Sequence, residues 1–166
     1  MRTTRLASLT VLLTLLLWGC GGGELSLTEY TERINDVEMR ASRQGEVLAA
    51  EAQDTVDFTP QDLQAILEEA RVIRIEVKDA TDDIEPPGQV ADIHDLVFDW
   101  HTEFIAIEEA LAARAAIAPH TDAGWTALSD SPEMAAYRSA LAEGRQVCIE
   151  FQGRLDATEA RGVFAD

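Results

Sequence analysis

Positive charge is scarce in this sequence. Among 166 residues there are 13 Lys and Arg against 31 Asp and Glu, a formal net charge of −18. Nucleic-acid binding needs basic patches that displace counterions, so the composition argues against that class. The same field repels anionic headgroups, which argues against membrane attachment through the folded surface itself. Period-two alternation of apolar and polar residues is missing, so no β-strand is expected. Also missing are a Gly-x-Ser-x-Gly elbow, a phosphate loop, a dinucleotide glycine pattern and zinc-ligand spacing. Cysteine is limited to Cys20 and Cys148.

The chain opens with Arg2 and Arg5, followed by an apolar run from Leu6 to Trp18 and then by Gly19 and Cys20. Charge, apolar run and small residue in that order make a secretory signal. As a helix the run spans roughly 20 Å, short of the roughly 30 Å hydrocarbon core, so a permanent spanning helix is not expected. Leu17-x-Gly19-Cys20 resembles the lipobox of bacterial lipoproteins. The resemblance implies diacylglycerol on the Cys20 sulfur, cleavage just before Cys20 and acylation of its new amino group. It also implies attachment to a membrane of the bacterial cell envelope, on the extracytoplasmic side. Residues 1–19 are then a signal peptide and residues 20–26 a lipidated tether containing Gly21-Gly22-Gly23. With Cys20 lipidated, no disulfide forms within the chain, and stability rests on packing.

Residues 27–166 read as one acidic helical domain, with acids dispersed among Ala, Leu and Ile rather than blocked. Four long amphipathic stretches share one grammar. The first has Ser26-x-x-Glu29 at capping-box spacing, then Leu27, Tyr30, Ile34, Val37, Ala41, Gln44 and Leu48 in steps of three and four. In the second, Thr59 caps and Pro60 takes the first helical position. Leu63, Ile66, Ala70, Ile73, Val77, Ala80 and Ile84 follow, and Pro86-Pro87-Gly88 stops it.

The third carries the strongest stripe: Val90, Ile93, Val97, Trp100, Phe104, Ile107 and Leu111. Residues 120–131 connect, with one helical turn expected around Trp125. Ser131-Pro132 opens the fourth, whose stripe is Met134, Tyr137, Leu141, Gly144, Cys148, Phe151 and Leu155; Gly162 reads as its C-cap. Similar lengths and short connections predict an all-α fold, an antiparallel up-down-up-down four-helix bundle. The last helix is similar in wording to uncharacterised helical envelope lipoproteins, a likeness that carries no activity.

Candidate chemistry is thin. His94, His101 and Glu108 share a heptad position on the third helix. Seven residues rise about 10.5 Å, too far for both histidines to ligate one ion, so they are expected to border a core seam. Asp79, Asp82, Asp83 and Glu85 lack an EF-hand pattern. Asp92, Asp95, Asp99 and Glu103 form a line that does not converge, so a solvated acidic face is expected for both groups. Cys148 reads as a buried inert thiol. Gly144 is expected to let a large side chain such as Trp100 approach.

No catalytic, cofactor-binding or metal residues are assigned, and no enzyme activity is expected; Cys20 is the one site residue, for lipid attachment. The first expectation is a non-enzymatic membrane-anchored lipoprotein that presents a helical surface to an envelope protein partner. The second is a binding module for a small cationic or apolar ligand, near Gly144 and Trp100 or on the acidic face.

Overall fold

In the computed structural model, the described residues are 25–55 and 57–163, with side chains as far as residue 157. The expected signal peptide, the expected lipid site Cys20 and the expected tether at Gly21 to Gly23 lie outside them. The described chain is all-helical: α1 (Leu27–Asp54), α2 (Pro60–Asp82), α3 (Ala91–Ala116), α4 (Asp122–Ser129) and α5 (Pro132–Val163).

The local signals act as expected. Ser26 Oγ accepts from the Glu29 amide at 3.2 Å, and the Glu29 carboxylate accepts from the Ser26 amide at 3.0 Å, closing a capping box on α1. Thr59 and Asp62 repeat the box on α2, with Pro60 at the first position. Ser131 Oγ accepts from the Met134 amide at 3.1 Å to open α5. Between α1 and α2, Asp57 takes a left-handed conformation (φ 57°), which a short polar side chain tolerates.

Packing is sequential. α1 lies on α2, α2 on α3, and α3 on α5. Along α2 and α3 the contacts run from Gln61, whose amide donates to the carbonyls of Ala116 and Ala118, through Arg74 and Glu108 to Ile84 and Ile93. Along α3 and α5 they run from Phe104 and Tyr137 (rings 5.3 Å apart), through Trp100 and Ala140, to Asp92 and Arg154. α1 and α5 do not lie along each other. They meet at one end, where the Tyr30 and Phe151 rings are 6.2 Å apart and Leu155 joins the core around Tyr30.

Several expectations need correction. The connection after α3 is an eight-residue helix, α4, and not a single turn; Thr121 caps it and Trp125 stacks on Phe58 at 5.9 Å. On α5 the expected stripe holds at Gly144 and Leu155, which are buried, and fails at two positions: Leu141 is 37% exposed and Cys148 is exposed, while their neighbours Ala140 and Val147 are buried instead. The cause is Trp100. Its indole N–H donates to the Ala140 carbonyl at 3.1 Å, and its ring lies where a Gly144 Cβ would fall, with one carbon only 2.2 Å from that position. α5 therefore turns Ala140 and Gly144 inward, and Leu141 and Cys148 fall outside. Gly162 lies within α5, which continues to Val163, so it is not a C-cap.

Candidate ligand site

A cavity of about 400 Å³ lies between the four long helices. Apolar side chains form most of its wall, Ile34 and Leu48 from α1, Ile73 and Val77 from α2, Val97 and Trp100 from α3, Val147 and Phe151 from α5. Its exposed lining residues, Asn35, Glu38, Gly45, Cys148 and Gln152, all belong to α1 or α5. The mouth is therefore the gap between these two helices, which meet near Tyr30. Trp100 lines the cavity as expected; Gly144 does not, because the Trp100 ring covers it.

Three polar arrangements lie in the apolar wall or directly behind it. The first is an ion pair: Arg74 donates from Nε and from Nη2 to the two carboxylate oxygens of Glu108, both at 3.0 Å. Glu108 is fully buried and Arg74 partly so, and the guanidinium carbon lies 3.9 Å from the centroid of Phe104 and 5.2 Å from that of Trp100. Burial raises the Glu108 carboxyl above its ordinary range, while the hydrogen bond and charge of Arg74 pull it back. Bidentate geometry and ring stacking are what arginine offers and lysine does not.

The second is a satisfied pair: the Tyr30 hydroxyl is hydrogen-bonded to His94 Nδ1 at 3.1 Å. Burial pushes the Tyr30 hydroxyl up to about 12 and lowers His94, against the opposing charges of Asp95 and Asp82.

The third is His101. It is 4% exposed, lines the cavity, and neither ring nitrogen has a hydrogen-bond partner. Burial, helped by the positive charge of Arg74, lowers its pKa to about 4. At neutral pH it is an uncharged imidazole and a poor general base.

Two further groups stand at the mouth. Glu38 is exposed by area, yet the surrounding helices displace enough water to raise its carboxyl, with Arg74 acting in the other direction. Cys148 was expected to be buried and is exposed; partial desolvation and the Glu38 charge still raise its thiol, so thiolate is disfavoured.

The sequence placed His94 and His101 at the border of a seam; the structure puts both inside it, with Glu108. Arg74 and Glu38 were not singled out. The signal for Arg74 was a lone charge inside Val72-Ile73-Arg74-Ile75. Asp79, Asp82, Asp83, Glu85, Asp92, Asp95, Asp99 and Glu103 are all exposed. Among the described residues no group of three or more His, Cys, Asp or Glu could hold a metal ion, and no helix is long and apolar enough to cross a membrane.

Compared with known proteins, the chain matches no family model, and no curated protein or solved structure is significantly similar to it.

Proposed function

We propose that the protein is a lipid-anchored lipoprotein on the extracytoplasmic side of the bacterial envelope, whose helical domain binds a small, largely apolar ligand without transforming it. We read that domain as an antiparallel up-down-up-down four-helix bundle, opened between α1 and α5. The order of contacts along α2, α3 and α5 supports this reading.

The observation that carries the ligand reading is the apolar cavity with an unpartnered histidine in its wall. From sequence, a protein partner ranked above a small ligand. The cavity reverses that order. A module that only presents an outer helical surface gains nothing from a void and an unsatisfied buried side chain, and both cost stability. Pockets of this volume and apolar character, with a few polar groups, are typical of small-molecule sites.

The anchor rests on Leu17-x-Gly19-Cys20. Two or three acyl chains on Cys20 would hold the domain stably, where one would be marginal. Replacing Cys20 with Ser is expected to release the protein from membranes; persistent membrane retention would overturn the anchor. For the cavity, Trp100 is the natural reporter. A Cys20→Ser chain with Trp18→Phe and Trp125→Phe leaves it as the one tryptophan. Its emission is expected to change saturably across a panel of apolar molecules. A flat response, with no calorimetric heat, would count against ligand binding.

A further inference from the structure

Resting on the ligand-binding reading above, we infer that the occupant is an uncharged, mostly apolar molecule carrying a hydroxyl or carbonyl, and that His101 is the residue that selects it. Buried polar atoms in folded proteins are nearly always hydrogen-bonded, and each exception calls for an explanation. His101 presents two such atoms, Nδ1 and Nε2, on one side chain in the cavity wall. The contrast with His94 is direct. His94 lines the same cavity, but Tyr30 already satisfies its Nδ1.

A neutral imidazole offers one N–H donor and one acceptor nitrogen. A hydroxyl can serve either nitrogen, and a carbonyl can accept from the N–H. Both group types sit naturally on an apolar body that fills the space between Ile34, Ile73, Val97 and Val147.

Charge balance argues for neutrality. A cationic group near His101 would meet the Arg74 guanidinium, which lines the same cavity. An anionic group finds no uncommitted cation, because Arg74 already donates two hydrogen bonds to Glu108, and Glu38 stands at the mouth. Either charge would leave water for a low-dielectric cavity without compensation.

The test uses the detergent-free Cys20→Ser chain and calorimetric titration with octanol, octanoate and octylamine near neutral pH. The three share one chain and differ only in head group. Octanol is expected to bind about tenfold more tightly than either ion, the scale set by one buried polar group left unpaired. His101→Leu should weaken octanol by about the same factor and abolish the preference. His101→Gln, which keeps a donor and an acceptor, should retain it. Tighter binding of octanoate or octylamine than of octanol overturns the inference. So does a preference unaltered in folded His101→Leu, which would assign the orphan nitrogens to ordered water. If that variant fails to fold, the comparison on the parent chain still decides. Equal binding of all three sinks the head-group inference alone, whereas no binding of any sinks the ligand reading as well.

Discussion

The core around Tyr30, Ile93 and Leu155 and the core around Leu67, Leu111 and Leu128 flank the Arg74–Glu108 pair, and different elements close them. The first draws on α1, α2, α3 and α5, and Ile34, Val37, Val77 and Ile84 in it remain 6–8% exposed. The second draws nothing from α1. Leu111, Ala115 and Leu128 are fully buried there, as Tyr30 and Val90 are in the first, and Ala112 and Ala118 are 6–9% exposed; what differs is that α4 covers the end of the second. One end of the array is thus closed by a short helix, while the other shares Tyr30, Ile34 and Val77 with the cavity wall. α1, which packs along α2 but not along α5, is the element whose packing is incomplete.

The largest effect is expected where the two cores meet. Glu108→Ala leaves the Arg74 guanidinium desolvated without its partner, a situation that costs about 3–5 kcal/mol. Replacing both, Arg74→Met with Glu108→Leu, should recover most of that loss, because two well-packed apolar groups avoid the desolvation altogether. Urea denaturation measures both. A loss under about 1 kcal/mol for Glu108→Ala, the scale of an exposed pair, would mean that water reaches the boundary and that the two cores are not separated by a dry pair.

A matched leucine in each core comes next. Leu111 is 0% exposed and Leu155 4% exposed, and each truncation to Ala falls in the range of about 2–5 kcal/mol. Within that range the cost depends on how far the surroundings can collapse. Beside a cavity with an open mouth, neighbours of Leu155 have room to move; around Leu111 they do not. Leu111→Ala should therefore be the more destabilising. The reverse order would break the distinction between a closed core and an adaptable one.

Much of this architecture was legible in the sequence, because capping and periodicity are local. Ser26 with Glu29, Thr59 with Pro60 and Asp62, and Ser131 with Pro132 marked three helix starts. On α5 Gly144 and Leu155 lie inward as read, and Gly144 admits Trp100 as expected, but the reading failed at Leu141 and Cys148 for a reason of spacing. Both Leu141–Cys148 and Ala140–Val147 fit helical steps, and the larger side chains were placed inside. What decides between them is the Trp100 indole on another helix, which needs Gly144 and the Ala140 carbonyl.

The candidate site was half visible. His101 and Glu108 shared a heptad position, but their burial depends on Arg74, supplied by α2. Nothing local says which helix faces which. Of the cavity only Trp100 was legible; its size and its mouth were not, since they arise from α1 and α5 failing to lie along each other.

Acid should act mainly on the cavity side. His101 is held at about 4 in the fold against an ordinary 6.5, so the fold favours its neutral form. As pH falls through 6.5 the unfolded chain takes the proton first. The stabilisation is complete above that value and is lost progressively down to about 4, amounting to about 3 kcal/mol. His94, lowered by burial, acts in the same sense. Glu38 and Glu108, both raised, act in the opposite sense: their burial penalty is present above 4.5 and relieved as they protonate. The histidine contribution is therefore read as a difference. Stability measured against pH for the parent and for His101→Gln should converge as pH falls from 6.5 toward 4. Curves that stay parallel would place His101 in water.

The smallest effects come from two glycines, and they should have opposite signs. A Cβ at Gly144 would lie 2.2 and 2.6 Å from two indole carbons of Trp100. That ring is tied to the Ala140 carbonyl and flanked by Phe104 and His101, so it has little freedom to retreat. Gly144→Ala should cost about 1–3 kcal/mol, as overpacking does in a filled core. A Cβ at Gly45 would meet nothing within 4 Å. Gly45→Ala on α1 should therefore stabilise by about 0.5–1 kcal/mol, through reduced backbone freedom in the unfolded chain. The second measurement is the sharper one. Gly45 lies on the cavity wall, so a destabilising alanine there would mean that α1 approaches its neighbours more closely than a half-packed helix does, and the mouth between α1 and α5 would have to close.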